Sequence, residues 1–469
     1  MQPYPFRKRT NRKNRTETVA NNPFQIEPGR YRNPAALLPV DSDKRVRDLF
    51  LSRIHKLRQV ALAVLLMLGV FGGTALAERI YTVSSEIDLV GAVDDNPQVS
   101  GLGLFNQEED YITSYGVYPS IRLNSEGPNT EYQLYYVFGL NRMDTSLDLD
   151  SESHEAGALL RGNLSRNVSL RITERFRKSP DFGTFSFFRG IVFTPEGMFF
   201  DYENVALRRD SYHNDTTAMI GYRFGPRSTL SFGGGTSVRN FEADPLFARR
   251  YPNQNQYNGT IKLTRDLNAR TGWSIGYNMT HHDFRQVYSD ARVHDATIGL
   301  NHQISRTAAL TMEAGPSYTE FLGDTTESSS YTGYNARLNV TKSFEDEEIS
   351  LSYRRRSGAG VGFGGLSRTQ EVAFHFMRPL GRSTLINFGA TLFDTDRVFE
   401  NPYETRGLRT SLVWSYLISP NWKINVGASY VSQDSPNIES DLPSFLDLER
   451  RRVYVSLTFV LPNMWRFSR

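Results

Sequence analysis

The sequence predicts an all-β protein, a transmembrane antiparallel up-and-down β-barrel of about 18 strands, with 16 strands as the alternative. Three observations lead to this fold class. Segments of about ten residues alternate apolar with polar side chains, short turns alternate with long loops along the chain, and an export signal precedes them all. The N-terminal segments and the strands are taken in chain order below.

Composition divides the chain of 469 residues into two unlike parts. Residues 1–58 contain 14 Lys and Arg against 5 Asp and Glu, whereas residues 78–469 contain 40 against 46. The chain has no cysteine, which excludes a disulfide scaffold, a thiolate metal site and a lipid-modified N-terminal cysteine.

Residues 1–58 are rich in Arg, Asn and Pro, and their apolar residues show no period. We therefore predict a disordered basic extension, because such a segment buries too little surface to offset its chain entropy. A start site assigned too far upstream is the alternative explanation. The basic residues would suit nucleic acid, but the signal that follows directs the product elsewhere, so we expect no nucleic-acid partner.

Residues 59–77 have the pattern of a signal peptide. An apolar run follows Arg53, Lys56 and Arg58 and ends in a small residue, any residue and a small residue, Ala75 and Ala77 being the small ones. We predict cleavage after Ala77. The strongly apolar part is about a dozen residues, short of the roughly 20 that a spanning helix needs. An uncleaved anchor is the alternative.

Residues 78–469 form the predicted barrel. Alternation with a period of two gives each strand one apolar and one polar face. The last strand, for example, has Val453, Val455, Leu457 and Phe459 on one side and Tyr454, Ser456 and Thr458 on the other.

Turn rhythm distinguishes this pattern from a soluble sandwich. We predict short periplasmic turns on one rim and long extracellular loops on the other. The short turns include 164–167, 224–227, 267–270, 304–307, 380–383 and 418–421. The long loops include 178–202, 242–255, 285–293, 322–330, 394–403 and 432–449.

A bilayer offers no water to unpaired backbone groups, so an exported chain of amphipathic strands must close on itself. We therefore predict a location in a bacterial outer membrane. The expected partners are membrane lipid, lipopolysaccharide and the barrel-assembly machinery, which could read Phe459 at the end of the last alternating strand. Oligomeric state is left open.

Three segments carry a family resemblance: residues 90–97 (VGAVDDNP), residues 164–170 (LSRNVSL) and Ser179-Pro180-Asp181. They resemble the beta-barrel porin 2 group of outer-membrane proteins. The resemblance implies a large outer-membrane barrel. Because some members are encoded near exopolysaccharide or exosortase systems, it also implies polysaccharide export components as partners.

The polar faces should line the lumen, and their charges are mostly basic. A cationic lumen raises the local concentration of anions, although pairing of these arginines with acids would instead give a neutral polar network. The predicted lining cations are Arg122, Arg161, Arg171, Arg175, Arg223, Arg239, Lys262, Arg337, Arg354, Arg356, Arg409 and Lys423. The predicted lining acids are Glu86, Asp88, Glu131, Glu313 and Glu371.

A second candidate site lies at the long-loop rim. His282 and Asp283 end one strand, and His294 and Asp295 begin the next, so a cross-strand cluster could bind a divalent metal or act in hydrolysis. No nucleophile has a recognisable context, and we predict no catalytic residue and no cofactor.

The predicted function is therefore a non-enzymatic pore for passive passage or export of small solutes or saccharides, with a mild anion preference. Two alternatives remain: an outer-membrane hydrolase with the rim His/Asp site, and a non-conducting adhesin or assembly scaffold.

Overall fold

The computed structural model describes twelve parts of the chain: 79–95, 111–144, 151–179, 193–194, 197–198, 211–241, 253–284, 289–322, 330–359, 365–397, 404–434 and 448–468. The chain divides into two units, Met1–Thr74 and Ala75–Arg469, and every described residue belongs to the second. The predicted extension (1–58), the signal peptide (59–77) and the cleavage site at Ala75 and Ala77 lie outside the described residues.

Twenty strands are present in the described residues. They are β1 (Ile80–Asp94), β2 (Ile112–Glu126), β3 (Thr130–Asp144), β4 (Ser151–Asn163), β5 (Val168–Ser179), β6 (Phe193–Thr194), β7 (Gly197–Met198), β8 (Ser211–Gly225), β9 (Ser228–Phe241), β10 (Gln254–Asp266), β11 (Thr271–Asp283), β12 (Asp290–Gln303), β13 (Ala308–Leu322), β14 (Ser330–Ser343), β15 (Glu348–Ala359), β16 (Leu366–Leu380), β17 (Thr384–Arg397), β18 (Glu404–Ser419), β19 (Trp422–Asp434) and β20 (Leu448–Ser468).

Eighteen of these strands form one closed antiparallel sheet. Each strand pairs with the next along the chain, β5 pairs with β8, and β20 pairs back onto β1. The two short strands β6 and β7 pair only with each other, between β5 and β8 in sequence. Closure leaves no open edge in the eighteen-stranded sheet, because each of its strands has two partners. The predicted all-β up-and-down barrel and its strand number are confirmed.

Between neighbouring strands of the eighteen-stranded sheet, eight connections contain two to four residues, and all eight lie at the rim where β1 begins and β20 ends. All six short turns predicted from the sequence are among them. The full set is 127–129, 164–167, 226–227, 267–270, 304–307, 344–347, 381–383 and 420–421. Longer stretches of sequence separate the strands at the opposite rim.

The sheet strands are longer than the ten residues predicted, from 12 residues in β5 to 21 in β20. A tilted strand needs only about 9–11 residues to cross the hydrocarbon. The strands therefore take up residues that the sequence pattern had assigned to loops, such as 290–293 and 394–397.

Large apolar side chains are exposed on the outer face of the sheet. Leu89 on β1 is directly opposite Val117 on β2 and Leu457 on β20, and Leu89 and Val117 are 46% and 42% exposed. Ile298 on β12 reaches 69%. A surface of this kind would be costly in water, so it indicates a hydrocarbon environment.

The inner face is mainly polar. Two apolar clusters interrupt it: Val90, Tyr118 and Val137 near β1 to β3, and a cluster around Phe284, Val293 and Phe321 at the long-loop rim. Buried Ser, Thr, Asn and charged side chains line the wall between them. The described residues include no helix long and apolar enough to cross a membrane.

A charged contact joins the two strands that close the barrel. Arg450 on β20 donates from Nε to both carboxylate oxygens of Asp94 on β1 at 3.0 Å, and from Nη2 at 2.5 Å. Both side chains are largely buried. Nearer the short-turn rim, the same two strands are joined by a hydrogen bond that the Thr458 hydroxyl donates to Asp88.

Replacing Asp94 with Asn should destabilise the barrel by about 3 kcal/mol, because it removes a buried carboxylate charge from contact with the buried Arg450 guanidinium. Urea unfolding of the detergent-folded protein, followed by heat-modifiable gel mobility, measures the change. Arg451→Gln is the matched control: its side chain and that of its partner Glu449 on the same strand are both more than half exposed, so the unfolding midpoint should move little. Equal midpoints for the Asp94 variant and the wild type would contradict the role assigned to this contact.

Candidate functional site

The twelve cations predicted to line the lumen all occupy the inner face of the sheet. The register shows this strand by strand: Arg161 is opposite Arg171, Arg175 is opposite Asp215, and Arg409 is opposite Thr391. Each is in phase with the buried inner residues of its neighbours. The strands that carry the twelve are β2, β4, β5, β8, β9, β10, β14, β15, β18 and β19.

These cations differ in their exposure to the lumen. Arg239 and Arg409 are each only 6% exposed, and Arg409 stacks over the Phe393 ring at 4.1 Å. In contrast, five arginines are exposed on the inner face: Arg122, Arg161, Arg171, Arg223 and Arg356.

The structure adds inner charges that sequence reasoning missed. Among the strand residues whose side chains the structure describes, the inner face carries fifteen cations and twelve acids, so the predicted excess of about twelve to five is corrected to a small one. The additional cations are Arg177, Arg450 and Arg452. The additional acids are Asp94, Glu126, Glu155, Asp215, Asp266, Asp295 and Glu348.

Strand length explains most of these omissions. Asp94, Glu126, Asp266 and Glu348 are first or last residues of their strands, where a ten-residue pattern had already ended. Arg450 and Arg452 follow a segment assigned to a long loop, yet they alternate in phase with Tyr454. This alternation was the sequence signal that could have identified both arginines as inner residues.

Part of the inner charge forms a paired network. In one row across β13 to β16, Glu313 is opposite Arg337, Arg337 is opposite Arg354, and Arg354 is opposite Glu371. Arg354 contacts Glu371 at 2.5 Å, and Lys262 on β10 reaches Glu313 at 3.2 Å. An acid at each end of the row offsets the repulsion between the two adjacent arginines.

A second paired group lies across β3 to β9. Arg175 Nε is 3.3 Å from Glu155, and the Tyr135 hydroxyl donates a hydrogen bond to Glu155 at 2.9 Å. His213 contacts Asp215 at 2.9 Å. On the wall nearer the short turns, Arg161 is 3.5 Å from Glu131, and both are exposed. The neutral-network alternative therefore accounts for several of the predicted cations.

Other inner cations make no ion pair within the described part of the chain. These are Arg122, Arg171, Arg223, Arg356 and Lys423. The inner acids that make no ion pair within the described residues are Glu86, Glu126, Asp266, Asp295 and Glu348, and three of them, Glu126, Asp266 and Glu348, are terminal residues of their strands. Away from the strand ends, the free charge on the wall is therefore mainly positive.

Aromatic rings cover glycines on this wall. A methyl group added at Gly427 on β19 would overlap the ring of Tyr454, which is directly opposite on β20. The same relation holds for Gly157 and Tyr135. Phe393 covers Gly407 in the same way. The rings therefore lie flat against the inner wall, and a side chain larger than hydrogen at the glycine beneath would push each ring away from the wall.

The four candidate metal ligands at the long-loop rim do not converge. His282 and Asp295 belong to the inner face, whereas Asp283 and His294 belong to the outer face. On that outer face, Tyr277 contacts His294 Nδ1 at 2.7 Å, and Asn255 donates to Asp283 at 3.1 Å. The physical reason is that neighbours in a strand point to opposite faces. Among the described residues, no group of three or more His, Cys, Asp or Glu side chains could hold a metal ion.

A closed barrel with an apolar exterior and a charged, hydroxyl-rich interior defines the class of outer-membrane β-barrels. Among solved structures, Pseudomonas aeruginosa OpdL is 10% identical with a TM-score of 0.42, over 82% of this chain and 99% of that chain. Acinetobacter baumannii OccAB3 is 8% identical with a TM-score of 0.44, over 82% and 99%. P. aeruginosa OccK2 (OpdF), in complex with glucuronate, is 11% identical with a TM-score of 0.43, over 81% and 98%.

At such low sequence identities and TM-scores, no residue role and no solute can be transferred from those structures to this chain. No family model matches the chain, and no curated protein matches it. The resemblance to the beta-barrel porin 2 group therefore stays a prediction.

Gly427→Ala should destabilise the barrel by roughly 1–3 kcal/mol, because the new methyl group displaces the Tyr454 ring from a well-packed position. The denaturant midpoint of the folded barrel measures this. Gly91→Ala on β1 is the control, since a methyl group there meets nothing within 4 Å. If both variants unfold at the wild-type midpoint, Tyr454 is not fixed against Gly427.

Proposed function

We propose that the chain forms a passive pore in the outer membrane of a bacterium, with a mild preference for anionic solutes. The observation that carries the proposal is the division of one closed sheet into an apolar outer face and a polar, charged inner face. The proposal assigns no catalytic step to the chain.

The outer face fixes the environment. Residues such as Leu89, Ile298 and Leu392 are about half exposed or more, which is favourable in hydrocarbon and costly in water. Because every sheet strand has two partners, the backbone groups need no water within the hydrocarbon. A closed barrel with this exterior is therefore an outer-membrane barrel.

Strand number supports a pore. In barrels of about eight strands, side chains fill the interior, whereas barrels of 16 to 18 strands leave an aqueous channel. The eighteen-strand sheet is thus wide enough for small solutes, and its wall of Ser, Thr and charged groups is one that water wets.

The anion preference rests on the free cations rather than on the total charge. Lys262, Arg175 and Arg354 are offset by acids, but Arg122, Arg171 and Arg223 have no counter-charge in the described residues. Exposed cations in a confined aqueous space attract anions and repel cations. The small net excess on the wall is the reason that we propose a mild preference and not strict selectivity.

The predicted partners follow from the same surfaces. The apolar exterior suits membrane lipid and lipopolysaccharide, and the paired β1 and β20 form the seam that an assembly machinery must close. Export of a saccharide, with polysaccharide export components as partners, rests only on the resemblance at the sequence level.

We expect planar bilayers containing the purified barrel to show ion conductance, with a reversal potential under a salt gradient that indicates anion preference. The triple variant Arg122→Gln, Arg171→Gln, Arg223→Gln should reduce the anion-to-cation permeability ratio by roughly two- to threefold, since wall charges change local ion concentrations.

Arg355→Gln is the matched control for this experiment. Arg355 is on the outer face, with its guanidinium over the Tyr334 ring at 3.8 Å, so its loss should leave the reversal potential unchanged. Cation preference in the wild type would contradict the anion proposal, and absence of conductance from a folded barrel would contradict the pore itself.

A further inference from the structure

The pairing between β14 and β15 stops before either strand ends. Its eight pairs end with Ala336 opposite Arg355. Beyond that point, residues 330–335 of β14 still pair with β13, and residues 356–359 of β15 still pair with β16. Within the described strands, no other two neighbours in the sheet both continue over so long a stretch without pairing with each other. This stretch, 330–335 with 356–359, is the β14–β15 parting.

Within the described residues, side chains rather than backbone hydrogen bonds connect the two sides of the parting. Arg368 on β16 donates from Nη1 to the Tyr331 hydroxyl on β14, although these two strands are not neighbours in the sheet. Arg368 is itself held by Asp396 on β17, to which its Nε donates at 2.9 Å. At the base of the parting, the Arg355 guanidinium lies over the Tyr334 ring at 3.8 Å.

The parting lies at the outer boundary of the hydrocarbon. Eight paired residues of a strand tilted by about 40° rise roughly 20 Å from the short-turn rim, and the apolar band of such barrels is about 25 Å tall. Tyr334, at the base of the parting, faces outward and is 48% exposed, as is typical of the aromatic girdle at headgroup depth. Water or lipid headgroups can therefore satisfy the backbone groups above this level.

Arg355 presents donors to this outer surface that no described protein group uses. It makes no ion pair within the described part of the chain, and its Nε is buried without a hydrogen-bond partner there. A guanidinium stacked on a ring keeps its in-plane N–H groups available for a bidentate contact with an anion. Because Arg355 faces away from the lumen, solutes in the pore do not meet it.

Gln370 adds a neutral donor beside Arg355. The two residues are directly opposite each other on the outer face of β15 and β16. The Tyr353 hydroxyl donates to Gln370 Oε1 at 3.3 Å, and within the described residues no hydrogen bond engages the amide nitrogen of Gln370. The amide nitrogen and the guanidinium can therefore donate to one anion.

Two acids lie near this pair of donors, and each has a basic neighbour. Asp396 accepts from Arg368, as described above, and Asp394 on β17 is directly opposite Arg406 on β18. The charge of Arg355 is therefore the one at the base of the parting that no described acid pairs with.

We propose that the β14–β15 parting, with Arg355 and Gln370 at its base, binds the phosphate-bearing headgroup of a lipid of the outer leaflet, lipopolysaccharide. A phosphate supplies acceptors for the guanidinium and amide donors. The sugar hydroxyls of the same headgroup supply donors for carbonyl groups along the two unpaired edges. A site that opens sideways at headgroup depth meets lipid rather than pore solutes. The proposal rests on the outer-membrane location and is independent of conductance through the lumen.

Lipid A, the phosphorylated and acylated anchor of lipopolysaccharide, is the probe for this site. Native mass spectrometry of the detergent-folded full chain should show one tightly bound lipid A per barrel. Arg355→Gln should raise the dissociation constant roughly fivefold or more, and Gln370→Leu roughly twofold or more, since each removes donors to the phosphate. Arg292→Gln is the matched control, an outward arginine at the same rim that is 3.5 Å from Glu320, and it should bind as the wild type does.

Amide hydrogen exchange tests the parting itself. Lipid A should slow exchange at residues 330–335 and 356–359, because the bound headgroup covers their unpaired edges. Residues 336–342, which pair with strands on both sides, should exchange at the same rate with and without lipid A.

Two competitors distinguish a lipid site from a general anion site. Inorganic phosphate should not displace lipid A, and lipid A freed of its phosphates should bind roughly fivefold more weakly or worse. Heat-modifiable gel mobility verifies that each variant is folded. The proposal is overturned if folded Arg355→Gln binds lipid A as tightly as the wild type, or if Arg292→Gln loses as much affinity. It is equally overturned if lipid A leaves exchange at the parting unchanged, or if inorganic phosphate displaces it.

Discussion

Closure of the sheet between β1 and β20 is the constraint on which the rest of the structure depends. Backbone groups in hydrocarbon have no partner except another strand, so the first and last strands of the barrel must pair with each other. Once the sheet is closed, each side chain faces either lipid or lumen. The polar wall and the cations that make no ion pair on it are both consequences of this two-sided choice.

Strict alternation made the faces predictable from sequence. A residue such as Arg171 could be assigned to the lumen because its neighbours Leu170 and Ile172 are apolar and in the opposite phase. The same argument worked along the whole barrel, since a one-residue slip would exchange the two faces and expose charge to lipid. The turns were also predictable, because short connections leave only a few residues between two alternating patterns.

Strand ends and side-chain partners were much less predictable. Alternation fades where a strand leaves the hydrocarbon, so Asp94 and Asp266 were not recognised as inner residues. The proposed rim cluster failed for a related reason, since His282 and Asp283 were grouped by proximity along the chain although adjacent residues point apart. Which cation meets which acid depends on the register between strands, and Lys262 and Glu313, on β10 and β13, are too far apart in sequence for local pattern to relate them.

The aromatic rings that lie over glycines have a consequence for how this wall can change in evolution. A ring and the glycine beneath it occupy one space, so neither position can vary alone: a larger residue at Gly157 requires a smaller one at Tyr135, and Gly427 is linked to Tyr454 in the same way. Related barrels should therefore exchange these residues in pairs. Such covariation would give the register of β3 with β4, and of β19 with β20, from sequences alone.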